Sequence, residues 1–242
     1  MVKPLEAHLQ RQVEHSERFF WHRLRWRAVR EYLPSDTPFE LIDVGAGAGL
    51  LGTFLRRDRP LATYRFIEPI ESLRSMLCSI HGDSADAAGD VTFEGARFVT
   101  LLDVLEHQED DTRFIKELVD KMEPGSVLLL TVPALPKLWS PWDVALGHYR
   151  RYEKASLLAC FDNLPVVPLE VSFLFPEMVL PGYLRARRGT SEKSVDLAVD
   201  AEFPDLPGPV NDVLYGLGTI SLALRKRWRA GSSLFLAAEI TS

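Results

Sequence analysis

Cysteine is nearly missing: Cys78 and Cys160 are the only two in 242 residues. Two thiols cannot build a disulfide framework or a structural zinc site, so a reducing compartment, the cytoplasm, is the expectation. Long apolar runs are missing too. None approaches the ~18 residues of a membrane-spanning helix, and Met1 to Gln10 lacks the apolar core of a signal peptide. The expected protein has no membrane span and stays where it is made. Excess positive charge is a third absence: 28 Lys and Arg face 34 Asp and Glu, a net charge of -6. Residues 1–32 hold seven of the bases against four acids, so the remaining body is more acidic still. Such a body offers no footprint for a phosphate backbone, and no nucleic-acid partner is expected. Internal repeats and low-complexity tracts are also absent.

What is present is ordinary globular composition, 46% hydrophobic and 26% charged. A prior of ~150 residues per domain makes the chain long for one simple domain and short for two. One domain, 1–242, with an elaboration is the expectation.

Leu5, Leu9, Val13, Phe20, Leu24, Ala28 and Tyr32 recur at multiples of four, which lays one apolar stripe along an N-terminal helix. Pro34 and Pro38 end it. Short apolar runs then alternate with amphipathic stretches. Strands are expected at 39–44, 63–67, 91–93, 97–102, 126–132, 166–174 and 233–238. Helices are expected at 50–57, 70–80, 110–122 and 154–161. Continuous apolar strands joined by helices imply a parallel sheet covered on both faces, because each crossover helix must bury its stripe. The fold class is α/β, a doubly wound, mostly parallel, seven-stranded sheet. Residues 1–38 form a helical lead-in, 39–174 the core, 175–230 a helical insertion or cap, and 231–242 a returning strand. The insertion has helical stretches near 177–187 and 210–229, and its apolar face suits covering an active site or forming a homodimer.

The sharpest local signal is L-I-D-V-G-A-G-A-G-L-L-G at 41–52, an apolar strand running through glycines into a helix. Glycines serve where the chain turns tightly and the backbone approaches a ligand, and the helix start offers unpaired N–H groups. Two registers fit. Gly45, Gly47 and Gly49 give G-x-G-x-G, and Gly47, Gly49 and Gly52 give the dinucleotide pattern G-x-G-x-x-G. Asp43 is a charge inside the strand and needs a partner, either a ligand amino group or ordered water. The next strand ends F-I-E-P, placing Glu68 where a carboxylate can accept ribose hydroxyls. An adenosine ligand satisfies either register.

Further along stand L-L-D-V-L-E-H-Q-E-D-D at 101–111 and M-E-P-G-S-V-L-L-L-T-V-P-A at 122–134. With the glycine loop they closely resemble class I S-adenosylmethionine (SAM)-dependent methyltransferases over about residues 39–175. L-W-S-P-W-D-V-A-L-G-H-Y-R-R-Y at 138–152 and R-F-F-W-H-R-L-R-W-R at 18–27 are similar to segments of a type 11/12-like branch of that family. The resemblance implies a Rossmann-like fold, SAM as cofactor and methyl transfer (EC 2.1.1 type). It implies that Asp43, Gly45, Ala46, Gly47 and Gly49 surround the methionine part, that Glu68 and Pro69 hold the ribose, and that Asp103 lies against the cofactor. The slot that contacts adenine in the family has no single match here, with Asp83, Asp86 and Asp90 all available.

Two histidines stand at the expected cleft, His107 after a strand and His148 in the loop beyond the next. With Glu106 they are the candidate acid–base residues for a hydroxyl acceptor, or an amine, on a small molecule or saccharide precursor. Trp139, Asp143, Arg150, Arg151 and Tyr152 suit an anionic or sugar-like acceptor, or equally a packed, salt-bridged loop. Asp103, Glu106, His107 and His148 form D-x-x-E-H plus a later histidine. This is similar to the E-x-x-E-H set of small-RNA 2′-O-methyltransferases and some ubiquinone-pathway O-methyltransferases, which implies a divalent metal as a further candidate cofactor. A nicotinamide-dinucleotide oxidoreductase and a noncatalytic SAM-binding or partner-binding subunit are the alternatives.

Overall fold

The computed structural model describes residues 17–82, 92–188 and 206–242. Helix α1 (Phe20–Arg30) leads into strand β1 (Phe39–Val44), helix α2 (Leu50–Asp58), strand β2 (Ala62–Ile67) and helix α3 (Glu71–His81). Strand β3 (Phe98–Leu102), helix α4 (Asp111–Val119) and strand β4 (Val127–Pro133) follow. Short helices α5 (Pro141–Leu146) and α6 (Lys154–Ala159) precede strand β5 (Val166–Leu174). Helices α7 (Val179–Arg188) and α8 (Gly208–Ala223) separate β5 from the last strand, β6 (Ser233–Ile240).

The sheet order is β2-β1-β3-β4-β6-β5. Pairings among β1, β2, β3 and β4 are parallel, whereas β6 runs antiparallel to both β4 and β5. The carboxyl ends of β1 to β5 therefore share one edge. Among the described residues the sheet has six strands rather than seven. Phe93 does not enter a strand: its carbonyl accepts the Ala96 N–H at 3.0 Å, closing a turn, and Val91 lies outside the described residues.

Alternation along the strands divides the core into two layers. Ile42, Val99, Leu128, Leu130 and Leu236 point to one face, and Leu41, Phe98, Leu129 and Phe235 to the other, where α1 packs. On α1 the four-residue spacing holds for Phe20, Leu24 and Ala28, all buried. The earlier part of that stripe, Leu5 to Val13, lies outside the described residues, as do Asp83, Asp86, Asp90 and residues 189–205.

The described parts of the two regions of surplus length meet. Asn211 of α8 accepts the Phe20 N–H at 2.8 Å and donates to the Arg18 carbonyl at 2.9 Å, so α8 satisfies a backbone donor at the start of α1. Gly218 lets the helices close: a Cβ there would stand 2.1 Å from Leu24 Cδ1.

Candidate active site

Left-handed backbone gathers at the carboxyl edge. Gly45, Gly47 and Gly49 follow β1 with positive φ, and three non-glycine residues join them: Asp103 after β3, Leu135 after β4 and Phe175 after β5. Each non-glycine case costs about 1 kcal/mol or more, and such strain concentrates where a site must be shaped. In open parallel sheets this is also the edge where ligands sit.

The glycine loop is held from beneath. Glu68, buried at the end of β2, accepts the Gly47 N–H at 2.7 Å through Oε2 and the Ile70 N–H at 2.8 Å through Oε1. Burial raises its pKa against the pull of those two N–H groups. A Cβ on Gly45 would stand 2.6 Å from Val104 Cγ2, so the loop lies directly against the turn that follows β3. Gly52, the third glycine of the dinucleotide register, is required by the chain itself, since a Cβ there would meet the Tyr64 ring at 2.5 Å. Ala46 is half-buried in the loop and Pro69 is exposed beside Glu68.

Asp43 finds two partners within the protein. Thr100 Oγ1 donates to Oδ1 at 2.7 Å and the Tyr64 hydroxyl to Oδ2 at 3.0 Å. Both come from strands flanking β1. Burial pushes the Asp43 pKa up to about 6 despite these two bonds.

Asp103 is likewise engaged elsewhere. Its Oδ1 accepts from Thr131 Oγ1 at 2.8 Å, and its Oδ2 pairs with Arg25, which reaches over from α1 and also contacts His22 Nδ1 at 2.9 Å. Arg25 was visible only as one arginine of a basic lead-in, with nothing local to mark its partner.

Glu106, His107 and His148 do come together. Residues Leu105–His107 form a 3-10 turn that buries the Glu106 side chain completely, and neither of its oxygens has a hydrogen-bond partner among the described residues. Burial, reinforced by the charge of Asp103, raises its pKa well above the usual carboxyl range. His148 Nε2 lies 4.0 Å from Glu106 Oε1, and the His107 and His148 rings meet edge to face at 4.7 Å. Burial and then the neighbouring His148 lower His107 to about 4, so its imidazole is neutral at physiological pH. One ligand atom from each of the three residues lies within 4.8 Å of the others.

The residues expected to touch an acceptor mostly build the frame of this cluster. Asp143 is fully buried and accepts from His148 Nδ1 at 3.0 Å, Arg151 Nε at 2.8 Å, and the Ser140 N–H and hydroxyl at 2.9 and 3.1 Å. Arg151 also donates to the Ala134 carbonyl. The buried Tyr152 hydroxyl donates to Asp111 Oδ2 at 2.8 Å, and Arg150 pairs with the same carboxylate at 2.6 Å. Direct acceptor contact by Asp143 and Tyr152 is thus corrected to a scaffolding position, because burial and satisfied partners leave them no face to a ligand. Trp139 remains partly exposed.

A family model described as a methyltransferase domain matches residues 15–164. The chain belongs to this methyltransferase family. The methyltransferase resembles a chain in the complex between the Haloferax volcanii Trm112 methyltransferase activator and a methyltransferase, at 13% identity and TM-score 0.64, covering 100% of this chain and 98% of that one. Haemonchus contortus phosphoethanolamine N-methyltransferase 2, solved with S-adenosyl-L-methionine, aligns at 13% identity and TM-score 0.55, covering 97% of this chain and 60% of that one. The [4+2]-cyclase SpnF aligns at 14% identity and TM-score 0.57, over 91% and 81% of the two chains. Likeness to a cyclase shows why fold alone does not fix a reaction; family membership carries the assignment. No curated protein matches the chain in sequence. The enzyme is a SAM-dependent methyltransferase with the α/β Rossmann-like fold of its class. Among the described residues no helix is long and apolar enough to cross a membrane.

Proposed function

We propose that this methyltransferase acts on a hydroxyl oxygen of a small-molecule or saccharide-type acceptor seated against Glu106, His107 and His148. The observation that carries the reading is the buried Asp143–His148 pair beside Glu106, whose oxygens have no hydrogen-bond partner among the described residues. With Nδ1 donating to Asp143, His148 Nε2 is left as the acceptor nitrogen, 4.0 Å from Glu106 Oε1, and is assigned to take a hydroxyl proton. An amine that arrives neutral needs no such base, so the pocket favours oxygen. When bound, SAM supplies a methyl group already activated on a sulfonium, and the chain's own task is positioning and proton removal. Gly45, Ala46, Gly47 and Gly49 are assigned to the methionine part. Glu68, with Pro69 beside it, is assigned to the ribose: each oxygen accepts one N–H and keeps a lone pair for a hydroxyl. His148→Ala is expected to lower kcat about 100-fold or more with SAM affinity retained, measured by labelled-methyl transfer to a panel of alcohols, phenols, sugars and amines. Unchanged kcat, or an N-methyl product, sinks the base assignment; SAM binding with no transfer to any acceptor favours a noncatalytic subunit.

A second reading of the same pocket rests on the clustering of Glu106, His107 and His148 around a common point. Two imidazoles and a carboxylate suit a divalent transition metal, and they would hold an ion whose charge eases deprotonation of the acceptor. Asp103, tied to Arg25 and Thr131, stands outside this set. Bound metal in the purified protein, and activity lost in chelator and restored by the ion, would favour this reading. Full activity in chelator removes it.

A further inference from the structure

The turn after β3 touches both halves of the site. Val104 lies against the glycine loop at Gly45, and two residues further on Glu106 and His107 meet His148. The turn starts from Asp103, whose φ of 58° is left-handed, a conformation that a non-glycine residue keeps only where its surroundings impose it. Strand β4 imposes part of it. The Thr131 carbonyl accepts the Asp103 N–H at 2.9 Å, and the Thr131 hydroxyl donates to Asp103 Oδ1 at 2.8 Å. The other oxygen, Oδ2, is held from outside the sheet by Arg25 Nη1 of α1. Arg25 Nη2 contacts Nδ1 of His22 at 2.9 Å, one turn back on the same helix; a guanidinium can only donate, so Nδ1 accepts. The arginine side chain is 13% exposed, which shields the ion pair from water. Helix α1 is itself fixed on either side of Arg25. Asn211 of α8 takes the Phe20 N–H, and the Trp26 indole donates to Asp58 at the end of α2 at 2.7 Å. Arg25 is thus presented by an element that cannot follow the turn if the turn moves. Burial raises the pKa of Asp43 and of Glu106, and the Arg25 charge opposes that at both, so this one cation serves three carboxyls.

We propose that Arg25 is a positioning residue for methyl transfer: acting through Asp103, it holds the 103–107 turn in the conformation that seats Val104 on the glycine loop and brings Glu106 and His107 to His148. Without the guanidinium, Asp103 keeps Thr131 but loses the bond that fixes its second oxygen, and the strained φ is free to relax. Relaxation at 103 displaces the cofactor loop through Val104 and the cluster through Glu106. One nitrogen meets one oxygen of Asp103, so the charge and its reach matter here more than the arginine fork. The effect on transfer rests on the proposed role of Glu106, His107 and His148, whereas the effect on SAM binding does not.

Arg25→Met is expected to lower SAM affinity about 10-fold by isothermal titration of the full chain, and to lower kcat on the order of 100-fold, the scale of a misplacement near 1 Å. Arg25→Lys keeps a donor for Asp103 Oδ2 and is expected to recover most of both losses. Asp103→Asn keeps an oxygen for Thr131 and gives up the ion pair; combined with Arg25→Met it is expected to lose no more than the greater single loss, because the two residues act as one unit. Backbone amide spectra supply a readout that needs neither SAM nor acceptor: the amides of Gly45, Val104 and Glu106 shift in Arg25→Met while those of β6 stay in place. Should Arg25→Met fail to fold, Arg25→Lys against Asp103→Asn makes the same comparison, with the asparagine variant the weaker binder. SAM affinity unchanged on losing the ion pair, losses that add in the double variant, a lysine no better than methionine or asparagine, or amide shifts spread equally through β6 would overturn the proposal. If His148→Ala leaves kcat unchanged while Arg25→Met still weakens SAM and shifts those amides, the base assignment falls and the positioning role of Arg25 stands.

Discussion

Asp43 carries a charge into a strand whose neighbours are apolar, and the fold answers by favouring its neutral form. Burial lifts its pKa from 3.8 to about 6, and the hydroxyls of Thr100 and Tyr64 only partly offset that. The folded state therefore holds this proton more tightly than the unfolded chain does. The stability gained is fully present below pH 4 or so and is lost as pH rises through about 6. Asp43→Asn keeps an acceptor and a donor for the two hydroxyls but cannot ionise. Urea titrations between pH 4 and 8 are expected to show wild-type stability falling across that window and a flatter profile for the variant; parallel profiles would show that Asp43 does not titrate there. That a charge at 43 needs a partner was legible in the sequence. Its partners were not, because they sit 21 and 57 positions away on flanking strands, and no local pattern records such pairings.

Between elements, the heaviest polar joint lies where α1, β5 and the end of α8 converge. Arg225 donates through Nε to Glu170 Oε1 at 2.6 Å and through Nη2 to Glu31 at 2.6 Å, while the Tyr32 hydroxyl donates to Glu170 at 2.7 Å. Burial alone would raise the pKa of Glu170, but the bonds from Arg225, Ser172 and Tyr32, with the charge of Arg225, hold it down to about 2. This joint therefore contributes stability above the ordinary glutamate value of 4.5 and loses it as pH falls toward 2. Arg225→Met leaves the buried Glu170 carboxylate with Tyr32, Ser172 and the exposed Lys226 alone, and is expected to cost about 3 kcal/mol, read by denaturant unfolding at neutral pH, with the deficit shrinking in acid. A cost that does not vary with pH would locate the loss in packing instead. No local pattern in the sequence records this joint, because the acids of Arg225 come from elements 55 and 194 positions away. The strands, by contrast, were legible to within a residue or two at either end, except Val91–Phe93. The central strands β1, β3, β4 and β6 are buried along nearly their whole length, which leaves little choice of conformation, whereas the edge strands β2 and β5 are half-exposed.

At the scale of the molecule, the described parts of the surplus length meet in one place. The N-terminal helix and the insertion pack on each other, and through Arg25 the helix reaches Asp103 at the mouth of the site. We therefore propose that residues 39–174 with 231–242 form the SAM-binding core, and that 1–38 and 175–230 shape acceptor choice from one side. The glycine loop and Glu68 were readable because backbone conformation and strand-end position follow from local sequence. The framing roles of Asp143 and Tyr152 were not, because residue type alone cannot separate a ligand contact from an internal one. The most direct measurement is isothermal titration of the full chain with SAM, alongside Glu68→Gln, which keeps an acceptor for the Gly47 N–H and gives up one for the ribose. The prediction is one SAM site per chain, affinity lowered about 10-fold in the variant (~1.4 kcal/mol), and no binding of NAD. Binding of NAD in place of SAM, or equal affinity in the two proteins, would contradict it.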